Sequence, residues 1–175
     1  MKDNVKKLVL SAMFIAIGIV LPFFTGKVKQ LGDILLPMHL PIFLCGLICS
    51  WKYGLAAGFI LPILRSLIFS MPPLYPNAIS MAFELAVYGF IVGFIYEKAP
   101  KKNLIWLYIS LIAAMLLGRL VAGGVKTVLL GMAGTPYTFK AFITANFIKA
   151  VPGVIIQLII IPSIMLLIKK TKLKV

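Results

Sequence analysis

Acidic residues are nearly missing from this chain: four Asp and Glu stand against 18 Lys and Arg in 175 residues, and His39 is the single histidine. One histidine cannot form a metal-binding pair or a histidine relay. No G-x-x-x-x-G-K-[ST] segment occurs, so the loop that cradles nucleotide phosphates is lacking. Ser11, Ser50, Ser66, Ser70, Ser80 and Ser110 sit in no nucleophile motif. No catalytic residues, no metal and no enzyme activity are expected. Cys45 and Cys49 are too few for a disulfide framework or a zinc site and read as small packing thiols on one helix face.

Charged residues of both signs make up 13% of the chain, against about 25% in ordinary soluble domains, while 62% is apolar. A soluble core of this size cannot use so much apolar surface, so the excess belongs against lipid. A spanning helix needs about 20 mostly apolar residues. The apolar runs predict an all-α membrane protein of one domain, residues 1–175, with spans at about 8–24, 34–50, 53–71, 78–96, 104–131 and 141–168. Met1 to Lys7 followed by an apolar stretch imitates a signal peptide, but no small-x-small cleavage site closes that run, and it is read as the first span. Trp51-Lys52-Tyr53-Gly54 reads as a tight interfacial turn between the second and third spans.

The net charge of +14 does not form a soluble basic face, which argues against nucleic acid as a partner. Lys2, Lys6, Lys7, Lys52, Lys98, Lys101, Lys102, Lys169, Lys170, Lys172 and Lys174 collect on one side of a six-span chain; Lys27, Lys29 and Lys140 collect on the other. By the positive-inside rule both termini are cytoplasmic. The Gly26 to Asp33 segment and the breaks at Pro72 to Asn77 and Met132 to Pro136 then lie outside, where they serve either as lids over an outward-facing cavity or as plain connectors.

Four basic residues remain, Arg65, Arg119, Lys126 and Lys149, and Glu84 is their one acidic companion within the spans. Ionisable groups in hydrocarbon are costly and normally face a bundle interior or a watery cavity. Arg65 and Arg119 come out roughly 18 and 22 Å above the cytoplasmic boundary, and Glu84 and Lys149 roughly 9 and 12 Å below the outer one, at about 1.5 Å per residue. All four fall in the outer half of the core. Arg119 and Lys126 share a face, Glu84 and Tyr88 form a second pair, and Asn146, Lys149, Gly153 and Gln157 form a polar stripe on a third helix. A structural network would pair Glu84 with Arg65 or Arg119 and let Lys126 snorkel outward. One carboxylate cannot balance three or four cations, and an anionic solute would complete the balance. Arg65, Glu84, Arg119, Lys149, Asn146, Tyr88, His39 and Lys126 are the candidate substrate-binding residues.

Several segments carry a family resemblance. They are Ala12-Met13-Phe14-Ile15-Ala16 in the first span, Leu36-Pro37-Met38-His39-Leu40-Pro41, the run from Trp51 through Pro62 to Ser66, Met71-Pro72-Pro73, and Glu84-Leu85-Ala86-Val87-Tyr88-Gly89. With six spans and basic cytoplasmic ends, the chain resembles the substrate-binding S component of energy-coupling factor (ECF) transporters over essentially its whole length. The resemblance implies high-affinity capture of a water-soluble vitamin or precursor in a bacterial or archaeal cytoplasmic membrane. It also implies docking through Ala12 and Ala16 onto a transmembrane coupling subunit joined to two cassette ATPases. No cofactor is expected in this chain, and the partners would spend the ATP. The alternative is a self-sufficient secondary transporter or channel with Glu84 as proton relay.

Overall fold

The computed structural model describes residues 2–25, 37–135, 137–148 and 150–170. Among them are helices α1 (Lys2–Thr25), α2 (His39–Cys49), α3 (Trp51–Phe69), α4 (Ile79–Lys98), α5 (Leu104–Met132), α6 (Phe139–Ile143) and α7 (Val151–Lys170). Short five-residue segments precede α4 (Leu74–Ala78, kinked at an extended Tyr75) and follow α6 (Thr144–Ile148). No strand occurs among the described residues.

Five of these segments are long and apolar enough to cross a bilayer: Asp3–Phe23, Trp51–Phe69, Leu74–Lys98, Leu104–Met132 and Val151–Lys170. The expected sixth, over 34–50, is shorter. Its helix begins at His39 and runs 11 residues, about 16 Å at 1.5 Å per residue, against a hydrocarbon core of about 30 Å. Residues 34–36 lie outside the described residues. What α2 lacks in length it makes up in enclosure: Ile42, Phe43, Cys45 and Cys49 are all fully buried. It is an interior helix whose neighbours, rather than lipid, cover it.

Two further expectations need correction. Trp51-Lys52-Tyr53-Gly54 is no turn but the first turn of α3; the chain reverses at Ser50 alone, which takes a left-handed φ of 108°. That conformation is costly for a non-glycine residue, and the Ser50 hydroxyl donates to Glu97 Oε2 at 2.9 Å. The last span, expected as one helix over 141–168, is divided between α6 with the segment that follows it and α7. Pro152 sits at the second residue of α7, a first-turn position where the missing N–H costs no helical hydrogen bond, whereas Pro22, Pro62 and Pro162 lie inside helices.

α4 is the hub, packing against α2, α3, α5 and the Leu74–Ala78 segment. Small residues make its closest approach to α3. A Cβ placed on Gly89 would lie 2.2 Å from the Gly54 carbonyl oxygen, and one on Gly58 2.2 Å from that of Leu85. In lipid, helices gain little from burying apolar surface against one another, so close backbone approach of this kind supplies much of the association. α7 sits more loosely, touching chiefly α5 and α2. Val5, Leu8, Val9, Leu67, Ile105, Val128, Ile159 and Leu167 are exposed and large, as a lipid-facing rim requires.

Candidate functional site

Three helices bring four of the expected residues together. Glu84 and Tyr88, one turn apart on α4, share a face. The Tyr88 hydroxyl gives its one proton to Glu84 Oε1 at 2.7 Å and accepts from Arg119 Nε on α5 at 3.2 Å. Arg119 is 4% exposed and Tyr88 fully buried. The hydroxyl therefore relays between a cation and a carboxylate, each bond polarising the other. From the first residue of α2, His39 sets Nε2 3.7 Å from Glu84 Oε1, too far for a hydrogen bond, and neither ring nitrogen has a hydrogen-bond partner among the described residues.

The Tyr88 ring is locked from several sides. Phe43, one turn after His39 on α2, stacks on it with centroids 4.9 Å apart, and the His39 ring lies tilted at 5.4 Å. On α5, Gly118 leaves the room: a Cβ there would fall 2.2 Å from Tyr88 Cε1. Phe43 and Gly118 are functional neighbours that sequence reasoning missed. The signals were available in the four-residue spacing from His39 and in the glycine directly before Arg119.

Arg65 does not join this cluster. Its Nε donates to the Met71 carbonyl at 3.1 Å, its Nη1 to the Ile19 carbonyl at 3.2 Å, and its guanidinium lies 5.4 Å from the Phe23 ring centroid. It ties the C-terminal ends of α1 and α3 together, and the pairing of Glu84 with Arg65 gives way to pairing through Tyr88 with Arg119. Lys126 is half-buried on α5, two turns beyond Arg119. Lys149 and the side chain of Asn146 lie outside the described residues. The expected stripe from Asn146 through Lys149 to Gln157 crosses the junction before α7, where Gln157 is buried at 1% exposure.

Beside the cluster, between α5 and α7, is a cavity of about 320 Å³. Ile112, Met115 and Leu116 of α5 face Val151, Val154 and Ile155 of α7 across it, and Arg119 is the one charged residue among its described lining. Its size lies at the lower end of the range for small-molecule sites, about 300–1,000 Å³. At the opposite edge of the bundle, Ala12 and Ala16 lie exposed on the outward face of α1 with Met13 and Ile17.

Membrane-length helices around an enclosed polar cluster and an apolar cavity define a polytopic membrane protein with room for one small solute. The family model of the ECF transporter substrate-specific component matches residues 6–165, and the chain belongs to that family. It is accordingly the substrate-binding subunit of an ECF transporter and not an enzyme, and it works with a transmembrane coupling subunit and ATPases. Neither the curated proteins nor the solved structures yield a significant match.

Proposed function

We propose that this subunit captures a water-soluble vitamin or vitamin precursor with high affinity, that the solute carries an anionic group, and that Arg119 receives it. The observation that carries this reading is the cavity between α5 and α7, apolar in its described lining except for Arg119. An apolar body fits such walls, and a guanidinium recognises a carboxylate or phosphate through charge-assisted hydrogen bonds. Glu84, Tyr88 and His39 complete the polar end of the site, Lys126 lies two turns further along α5, and Asn146 and Lys149 remain substrate-binding candidates by sequence. Arg65 is better suited to bracing the outer ends of α1 and α3.

In this reading residues 1–175 form one membrane domain in a bacterial or archaeal cytoplasmic membrane, with both termini inside and the solute entering from outside. Ala12 and Ala16 dock on the coupling subunit, and ATP hydrolysis by two partner ATPases drives release. Mass spectrometry of the small molecule released from the detergent-purified protein identifies the solute, and calorimetry then compares the acid with its methyl ester. Arg119→Gln should weaken binding of the acid roughly 10- to 100-fold and that of the ester much less. Equal affinity for acid and ester would sink the anion assignment.

A further inference from the structure

We propose that His39 and Glu84 form a second recognition pole of this site, for a nitrogen-bearing head group that donates hydrogen bonds, so that the captured solute is amphoteric rather than a plain carboxylate. The proposal rests on the capture reading above and narrows its substrate class. The observation behind it is an anomaly of burial. His39 is 2% exposed, yet among the described residues Nδ1 and Nε2 are both without a hydrogen-bond partner. Buried polar groups are otherwise satisfied almost without exception, because leaving water without replacing its hydrogen bonds is costly.

The neighbouring carboxylate is short of partners as well. A carboxylate offers about four lone-pair positions. Among the described residues Glu84 accepts one hydrogen bond, from Tyr88, and His39 Nε2 stops at 3.7 Å. Three free acceptor positions beside an imidazole with one donor and one acceptor call for a group rich in N–H, with a lone pair next to it. An amino-substituted nitrogen heterocycle or an amidine-like edge meets both demands at once: its N–H groups face Glu84 and its remaining donor or lone pair faces His39.

Charge balance points the same way. Arg119 and Glu84 already offset each other through the Tyr88 hydroxyl. A solute bringing only a negative group would leave that pair with an uncompensated charge in a low-dielectric interior. An N–H donor head bonded to Glu84 gives that carboxylate new hydrogen bonds when Arg119 turns to the solute's acidic group, and a protonated, amidinium-like head also cancels the added charge. The Tyr88 hydroxyl bonds both Arg119 and Glu84, so the two poles lie on either side of a single oxygen atom.

The test uses the full chain in detergent and titration calorimetry with defined probes. Biotin and folate carry both an acidic group and N–H donors; nicotinate and lipoate are carboxylates without such donors. The tightest binder should come from the first group. Glu84→Gln and His39→Asn, each checked for monodispersity by gel filtration, should both weaken it roughly 10- to 100-fold. Its N,N-dimethylated or N-methylated derivative, stripped of donors, should bind wild type and Glu84→Gln about equally, an outcome that a merely structural Glu84 would not give. Tightest binding by nicotinate or lipoate, or retained affinity in either variant, overturns the second pole and leaves the capture reading standing. If no probe binds and denaturation releases no small molecule from wild type, the capture reading itself falls and takes this one with it.

Discussion

Replacing Tyr88 by Phe removes one oxygen atom and nothing else, and the structure says what that atom does. The ring keeps its stacking on Phe43 and its seat against Gly118, so no cavity larger than a hydroxyl is left. What is lost is the bond to Glu84 at 2.7 Å and the bond from Arg119 at 3.2 Å. Hydrogen bonds to charged groups are each worth about 1.5–3 kcal/mol. Part of the loss is recovered because the two freed groups have opposite charge and can shift towards each other, leaving a net destabilisation of about 2–3 kcal/mol. Equilibrium unfolding by SDS in mixed micelles measures it. Because the hydroxyl acts through Glu84, Tyr88→Phe should cost far less in a Glu84→Gln background, with a coupling energy above about 1 kcal/mol. Tyr88→Phe within about 0.5 kcal/mol of wild type, or additivity of the two substitutions within that margin, would refute the relay.

Gly89→Ala should lower the melting temperature by several degrees, because its methyl would have to displace the Gly54 backbone. Gly124→Ala, where nothing lies within 4 Å, should leave melting nearly unchanged, and equal effects would deny the close approach of α3 and α4. Ala12→Leu with Ala16→Leu adds bulk on the exposed face of α1 and should impair uptake by the assembled transporter while calorimetry on the isolated chain finds binding intact. Unchanged uptake would remove the docking role. Single cysteines at Asn77 and Gly134, in a chain whose native cysteines are replaced, should react with an impermeant maleimide from outside intact cells, and one at Lys101 should not. The reverse pattern would invert the proposed orientation.

The helices were legible in the sequence wherever an apolar run exceeded the thickness of the membrane, and misread where packing rather than length set the boundary. α2 is both short and enclosed, and nothing in a hydropathy pattern separates an enclosed apolar helix from a lipid-facing one. Gly54 was taken for turn chemistry when its use is to let α4 approach α3. Pro152 sat inside an expected span and marks instead where α7 begins.

The candidate site was half legible, for a reason of electrostatics. Counting one acid against several bases drew attention to Glu84, Tyr88 and Arg119, which the fold brings together, but it treated every buried cation as waiting for an anion. Arg65 is the counterexample. Its donors bond the Ile19 and Met71 carbonyls, and its guanidinium covers the Phe23 ring. A guanidinium is satisfied by carbonyl dipoles and an aromatic face as well as by a carboxylate, so charge excess along a sequence overstates the negative charge a ligand must bring. Once Arg65 is removed from the tally, the described core of the site holds one cation and one anion joined by a hydroxyl. Recognition there is then governed by the unfilled hydrogen-bonding capacity of His39 and Glu84 as much as by the charge of Arg119.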